Sequence, residues 1–308
     1  MSYTGPEFDP PRRPRFRRAP LAVGLAALVP GALLGWVVYE GVGRPGGSSG
    51  TSGAGQADAA TPKSAAAVPG DDAKVPTASP SAARPLQGKV VVIDPGHNPG
   101  NFQHPSEINQ KVDIGTNWKE CDTTGTSTNA GYSEARFTLD VAHRLRTLLE
   151  KQGATVKLTH DGDRPAWGPC VTKRAEIGNA AHADAAISIH ADGAPEGDRG
   201  FHVILPASVH AGAADTRPIV DSSRTLGEHV ESDFAKVTGS APSNYVGNGT
   251  GLDVRKDLGG LNLSTVPKVF IECGNMRDSK DAALLTSGAW RQKAAQGISD
   301  GIADFLRK

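Results

Sequence analysis

Two histidines and one glutamate each follow a short apolar run, and all three residue types can bind a metal or move protons. The runs are rich in β-branched residues and do not alternate, which is typical of strands buried on both faces. Ligands bind at the carboxyl ends of parallel strands, so we expect these three residues at one edge of one sheet. The three segments are VVVIDPGH ending at His97, AISIH ending at His190, and VFIE ending at Glu272.

Glu134 opens a strongly periodic helix, which we predict over residues 134–151. Helices that follow strands in such sheets begin at the same edge, so Glu134 should lie near the two histidines. A catalytic zinc ion takes three protein ligands and keeps a fourth position for water. His97, Glu134 and His190 could supply those ligands to one Zn²⁺. A histidine at a strand end more often only forms hydrogen bonds, and spacing alone leaves both interpretations open.

The elements around these residues predict an α/β fold over residues 87–308. Strands alternating with helices indicate a single domain with a largely parallel central sheet covered by helices on both faces. The long irregular stretch 98–131 leaves the sheet directly after His97, and long loops in compact domains are usually functional. The predicted strands cover 89–94, 154–159, 185–189, 200–205 and 266–271. The predicted helices cover 134–151, 172–183 and 219–237, with one or more closing helices within 280–306.

Composition divides the N-terminal part of the chain into three segments. Residues 1–20 are Pro- and Arg-rich and should stay cytoplasmic, because basic residues precede an uncharged run. That run, within 21–39, is just long enough to span a membrane and indicates a signal anchor or a cleaved signal peptide. Residues 40–86 are dominated by Gly, Ser, Ala, Pro and Thr and predict a disordered linker. The domain over 87–308 would then lie outside the cytoplasmic membrane.

Five ordered segments resemble one known enzyme family. The match covers residues 88–308, and it is to the zinc-dependent N-acetylmuramoyl-L-alanine amidases often called amidase type 3. One departure is Phe137-Thr138, near which family members often carry asparagine. The segments are VVIDPGHNPG (91–100), GYSEARFTLDVA (131–142), KRAEIGNAA (173–181), AISIHADG (186–193) and VFIECGNM (269–276).

The resemblance implies a mechanism and a substrate. His97, Glu134 and His190 would ligate zinc, and Glu272 would be the catalytic carboxylate, taking the proton of a zinc-activated water. The bond cut would be the amide between N-acetylmuramic acid and L-alanine of the peptidoglycan stem peptide, in cell-wall remodelling or daughter-cell separation. Two alternatives remain: another zinc peptidase acting on peptidoglycan peptides, and a noncatalytic cell-wall binding module.

Partners follow from charge and from the implied substrate. The 308 residues carry 33 basic and 33 acidic side chains, which gives no electrostatic reason to expect nucleic acid. We expect a monomer that contacts peptidoglycan, and the membrane through its N-terminal segment. Asp94 and Asp192 are candidates for orienting the imidazoles of the two histidines.

Two further expectations concern the loops. Cys121 and Cys170 lie in loops that should leave the same sheet edge, so they could form a disulfide outside the membrane, while Cys273 should be buried and free. Residues 238–265 are rich in Gly, Ser and Asn and lack a helical apolar stripe. We therefore expect a loop there, and no helix in this stretch that blocks access to the predicted metal site.

Overall fold

A computed structural model describes residues 84–162 and 164–307. The strands are β1 (Val90–Pro95), β2 (Lys111–Asp113), β3 (Trp118–Glu120), β4 (Thr155–Leu158), β5 (Ala185–Asp192), β6 (His202–Pro206), β7 (His210–Ala211), β8 (Ala214–Asp215), β9 (Leu252–Arg255) and β10 (Lys268–Asn275). The helices are α1 (Pro105–Ile108), α2 (Glu134–Lys151), α3 (Val171–Ala180), α4 (Val220–Thr238), α5 (Gly259–Asn262), α6 (Ser279–Leu285) and α7 (Gly288–Leu306), with 3-10 turns at Asn101–Gln103 and Gly247–Gly249.

Six strands form the central sheet, in the order β4-β1-β5-β10-β6-β9. The first four of these are mutually parallel, whereas β6 runs antiparallel to β10 and β9 runs parallel to β6. The prediction of an α/β domain with a largely parallel sheet is therefore confirmed. Two short antiparallel ribbons, β2-β3 and β7-β8, lie outside this sheet.

Helices cover both faces of the sheet, and this arrangement explains why the strand sequences do not alternate. Val91 and Ile93 of β1 belong to the large core formed with α2, α4 and α7, whereas Val92 points to the opposite face beside Ile177 of α3. A third apolar cluster places Leu261 of α5 on that second face. Because both faces are buried, apolar residues are favoured at successive positions of a strand.

The predicted bounds of helix α2 are confirmed, whereas several other elements differ. Strands β5 and β10 continue to Asp192 and Asn275, so the histidine and glutamate predicted at strand ends lie two and three residues before them. The closing region, predicted to contain one or more helices, contains two, α6 and α7. The side chain of Ser287 accepts a hydrogen bond from the backbone of Trp290 and caps the second of them.

The stretch 238–265, which we expected to be a loop, contains the edge strand β9 and helix α5. Strand β9 pairs with β6 through four registered residues, from Val203 opposite Leu252 to Pro206 opposite Arg255. Sequence propensity did not indicate this strand, because its position is set by pairing with a neighbour about 50 residues away.

At its N-terminal end, the structure describes the chain from Arg84 onward. Leu86 is fully buried in the main core, and its backbone amide donates to the carbonyl of Gln152. Packing therefore begins before Gln87, the predicted start of the domain. The predicted membrane segment 21–39 and most of the predicted linker lie outside the described residues. Within the part of the chain that the structure describes, no helix has the length and apolarity needed to span a bilayer.

A disulfide joins Cys121 to Cys170, as predicted, and Cys273 is buried and free. The bond links the segment after β3 to the residue that precedes α3. The backbone amide of Val171 also donates to the carbonyl of Cys121, 2.7 Å away. These two connections fix the irregular segment that follows His97 against the N-terminus of α3.

Candidate metal centre

The structure brings His97, Glu134 and His190 together at one edge of the sheet. One possible ligand atom from each residue lies within 4.8 Å of the others. Nε2 of His97 lies 3.1 Å from Oε2 of Glu134, and Nδ1 of His190 lies 2.9 Å from Oε1 of the same carboxylate. Two imidazole nitrogens thus face one carboxylate across a space that a single cation could share.

His97 is positioned by the tight turn that follows β1. Its backbone has a φ of 61°, a left-handed conformation that is uncommon for residues other than glycine and is often found at functional sites. The hydroxyl of Thr138 on α2 donates to the carbonyl of Gly96, 2.8 Å away. The helix that carries Glu134 is therefore tied directly to the turn that carries His97.

Glu134 is held by backbone amides as well as by the histidines. The amide of Thr126 donates to Oε2 at 2.9 Å, and the amide of Ala191 donates to Oε1 at 3.2 Å. Burial raises the pKa of this carboxyl, but the two histidines outweigh burial and hold the pKa well below its usual range. The carboxylate is therefore ionised and fixed in orientation.

The ring of His97 is oriented by the loop around the disulfide. Nδ1 lies 3.1 Å from both the carbonyl and the hydroxyl oxygen of Thr123 and 3.6 Å from Oδ1 of Asp122, which leaves Nε2 facing Glu134. Burial lowers the pKa of His97, but Glu134 and Asp122 more than offset this and raise it to about 10. An environment that favours a proton this strongly also attracts a metal cation.

The residues expected to orient the two imidazoles are not those that the structure places there. Asp94 is buried between Arg174 and Lys268, and Asp192 accepts a hydrogen bond from the hydroxyl of Tyr245 at 2.8 Å. The expectation for these two aspartates was wrong. Instead, Asp122 lies beside His97, and the ring of His190 is stacked on Phe270, with ring centroids 5.2 Å apart.

Arg174 connects these buried groups. Its guanidinium donates to Oδ1 of Asp94, to Oδ2 of Asp122 and to the carbonyl oxygen of His97, each at 2.9 Å. Burial raises the pKa of Asp122, but Arg174 and His97 outweigh burial and lower it to about 2. The ion pairs therefore fix the loop that supports His97, and no periodic pattern in the sequence could have indicated them.

Glu272 lies opposite His190 in the register of β5 and β10. Its Oε2 is buried and has no hydrogen-bond partner among the described residues. Burial raises the pKa of Glu272 well above its usual range, and Asp192 and Glu134 raise it further. A carboxyl with a raised pKa and an oxygen that has no partner among the described residues, beside a candidate metal cluster, can take and return protons.

These groups line a cavity of about 300 Å³. Four residues that line this cavity were not predicted from the sequence. They are Gly125 and Thr126 of the irregular segment, Leu258 before α5, and Arg255 at the end of β9. The donor set of two imidazoles and one carboxylate, open toward this cavity, suits a catalytic zinc ion, which uses nitrogen and oxygen ligands and keeps one position free.

Comparison with known proteins agrees with this geometry. Residues 91–304 match the family model described as N-acetylmuramoyl-L-alanine amidase. The chain is 39% identical over 237 residues to the N-acetylmuramoyl-L-alanine amidase Rv3717 of Mycobacterium tuberculosis, which covers 76% of this chain and 94% of that protein.

Two solved structures are similar over the same region. The N-acetylmuramyl-L-alanine amidase Ami1 of Mycobacterium smegmatis has 38% sequence identity and a TM-score of 0.64, covering 72% of this chain and 98% of that one. The apo form of Ami1 from Mycobacterium abscessus has 39% identity and a TM-score of 0.64, covering 72% of this chain and 100% of that one. The chain therefore belongs to the N-acetylmuramoyl-L-alanine amidase family.

Proposed function

We propose that the chain binds one Zn²⁺ through His97, Glu134 and His190 and cleaves the amide between N-acetylmuramic acid and the L-alanine of the peptidoglycan stem peptide. The observation that carries the metal proposal is the convergence of these three donors within 4.8 Å, beside a carboxyl that is not one of them. Zinc in such a site polarises a carbonyl and lowers the pKa of its water toward ~7.

Glu272 is the proposed general base. Its Oε2 has no hydrogen-bond partner within residues 84–162 and 164–307, so it can accept the proton of the attacking water. The protonated carboxyl then donates its proton to the L-alanine nitrogen, and the stem peptide leaves with a free amine.

The remaining side chains hold these groups in place. Phe270 supports the ring of His190, and Asp122 and Thr123 fix the ring of His97. The substrate belongs to the cell wall, so the domain acts outside the cytoplasmic membrane, in wall remodelling or daughter-cell separation. We propose that it does so as a monomer, with the segment 21–39 serving as anchor or signal peptide.

Metal analysis of the purified full chain tests the zinc proposal. We expect one zinc per chain in the wild type and in His210→Ala, a control on the exposed ribbon β7-β8. The double variant His97→Ala/His190→Ala should lose zinc and activity together. Stoichiometric zinc in a folded double variant would refute the ligand assignment.

Product analysis separates the amidase from its rivals. Mass spectrometry of digested peptidoglycan should show intact stem peptides that begin with a free L-alanine. Release of single amino acids would instead indicate a peptidase acting within the stem. Binding to peptidoglycan without any cleavage, in a zinc-loaded protein, would indicate a noncatalytic wall-binding module.

A further inference from the structure

The charges that line the catalytic cavity are unevenly distributed. Glu134, Glu272 and Asp192 supply three carboxyl groups on one side. Arg255 alone among the described lining residues carries a permanent positive charge. Arg255 is therefore the lining side chain that can offer permanently charged N–H donors to a substrate, with its net charge offset by Asp257 outside the cavity lining.

Arg255 is fixed in position by the sheet. It lies at the end of β9 opposite Pro206, and its carbonyl oxygen accepts a hydrogen bond from the amide of Ala207 at 2.8 Å. Asp253, two residues earlier, is opposite Ile204, which is in turn opposite Phe270. Residues two apart on a strand share a face, so Arg255 projects toward the same face of the sheet as Phe270 and Glu272.

One edge of the guanidinium is already engaged. Nε donates to Oδ1 of Asp257 at 2.9 Å, and Nη2 donates to Oδ2 at 2.7 Å. Nζ of Lys119 on β3 lies 3.5 Å from the same carboxylate and holds it from the other side. The plane of the guanidinium is therefore set before any substrate arrives.

The other edge of the guanidinium is free to bind. Nη1 has no hydrogen-bond partner within residues 84–162 and 164–307, and the side chain is 39% exposed. Arginine presents five N–H donors in a rigid fork that matches a carboxylate through two parallel hydrogen bonds. A guanidinium fixed along one edge and free at the other is preorganised to bind an anion.

We propose that Arg255 is a specificity-determining residue that binds a carboxylate of the stem peptide on the L-alanine side of the scissile amide. This inference rests on the proposed function, because it assumes that the stem peptide occupies this cavity. An extended peptide advances about 3.5 Å per residue, so a cavity of this size holds one or two residues beyond the cleaved bond. L-Alanine carries no side-chain charge, and the carboxylate therefore belongs to the residue that follows it.

The test compares two synthetic muramoyl tripeptides that differ at one group. The residue after L-alanine carries either a free α-carboxylate or an α-carboxamide, with its γ-carboxyl joined to the next residue in both. The full-length wild type should prefer the carboxylate. Arg255→Gln should raise KM for the carboxylate peptide ~10-fold or more, since hydrogen bonds to charged groups are strong. A change in kcat should be equal for the two peptides, because Arg255 also acts electrostatically on Glu272. The KM of this variant for the carboxamide peptide should stay within about threefold.

Two further variants sharpen the comparison. Arg255→Lys keeps the charge but loses the fork, so its preference for the carboxylate should be intermediate. Arg217→Gln is the matched control, because Arg217 forms the same two-point contact with Asp215, two residues away, on the exposed β7-β8 ribbon. This control should retain wild-type discrimination. Zinc content and melting temperature of each variant show whether the fold and metal site remain intact.

A binding measurement separates this inference from the proposed function. Calorimetry with the two free tripeptides that begin at L-alanine reports recognition without turnover. An Arg255-dependent preference for the carboxylate without cleavage would support the subsite and contradict the amidase mechanism. Equal binding of both peptides by the wild type, or an equal loss on both substrates in Arg255→Gln, would overturn the role of Arg255.

Discussion

Gly96 lies directly against the ring of His190. A Cβ atom at residue 96 would be 2.4 Å from Cε1 and 2.5 Å from Nδ1 of this imidazole, and 2.7 Å from the carbonyl oxygen of Ile189. Real Cβ atoms do not approach other atoms this closely, so a side chain at this position must displace the ring. The absence of a side chain at Gly96 thus leaves His190 room to approach the proposed metal ion beside His97.

Gly96→Ala should therefore weaken zinc binding while the domain stays folded. We expect a loss of 10–100-fold in zinc affinity, the range seen when groups that orient metal ligands are disturbed. Competition with a chromophoric chelator measures this affinity. Gly178→Ala in α3 is the control, because its nearest neighbour would be 3.8 Å away. Unchanged zinc affinity in Gly96→Ala would contradict the prediction, because it would show that a displaced His190 ring does not weaken zinc binding.

The sequence was sufficient to predict the residues that converge, because their positions are set by regular elements. His97, His190 and Glu272 follow buried strand patterns, and Glu134 begins a helix whose apolar stripe fixes its direction. Arg174, Asp122 and Arg255 could not be assigned to the site in the same way. Their partners lie far apart in the chain, and a charged residue in a loop or on an edge strand has no periodicity that indicates its contacts.

Glu272→Gln should fold and keep zinc but lose nearly all turnover. Glutamine has almost the same shape but cannot accept the proton of the attacking water, and loss of a general base typically lowers the rate ~10²–10⁴-fold. Single-turnover kinetics on a muramoyl peptide measure the chemical step, and metal analysis checks the site. Near-normal rates in a zinc-loaded Glu272→Gln variant would remove this carboxylate from the mechanism.

Acid should destabilise the fold partly through Asp94. Burial raises the pKa of this carboxyl, but Lys268 and Arg174 outweigh burial and hold the pKa well below its usual range. As the pH falls, Asp94 therefore becomes protonated at a higher pH in the unfolded chain than in the folded chain. Its stabilising contribution is complete above about pH 5 and is lost as the pH falls below ~4 toward the folded pKa.

Two variants test this linkage by urea unfolding between pH 6 and pH 3, with chelator present so that metal loss does not contribute. Asp94→Asn should lower the free energy of unfolding at pH 6 by ~3–5 kcal/mol, because it leaves buried cations unpaired. In both Asp94→Asn and Lys268→Met, the free energy of unfolding should fall less between pH 6 and pH 3 than it does in the wild type. Lys157→Met, which removes an exposed lysine of β4, is the control. A slope in Asp94→Asn equal to that of the wild type would contradict the assignment.

The disulfide should stabilise the domain substantially. Cys121 and Cys170 are 49 residues apart in sequence, and bonds closing loops of this size typically contribute ~2–4 kcal/mol. Reductant should lower the melting temperature of the wild type but not that of Cys121→Ser/Cys170→Ser. Peptide mapping without reductant should recover the linked pair from protein isolated from the cell envelope. Free thiols at both positions in that protein would contradict the prediction.

The catalytic site should be active without a protein activator. The side chains of His97 and His190 remain 13% and 16% exposed, so the ligand cluster opens toward solvent. Residues 238–265 contribute β9 and α5 to the domain. Asp257 is engaged by Arg255 and Lys119.

Two measurements test this openness. The purified full chain should cleave peptidoglycan without added protein, and unheated cell-envelope extract should not raise the rate per zinc-loaded enzyme once the extract's own hydrolysis is subtracted. Asn262→Ala provides an internal test, because the Asn262 amide donates to the carbonyl of Lys256 at 2.9 Å and to the hydroxyl of Thr116 at 3.0 Å and so fixes this segment. If the segment inhibited the site, loosening it would raise the rate. Since the segment forms the sheet edge and carries Arg255, we expect the rate to stay constant or fall, and a tenfold rise would identify a regulatory segment.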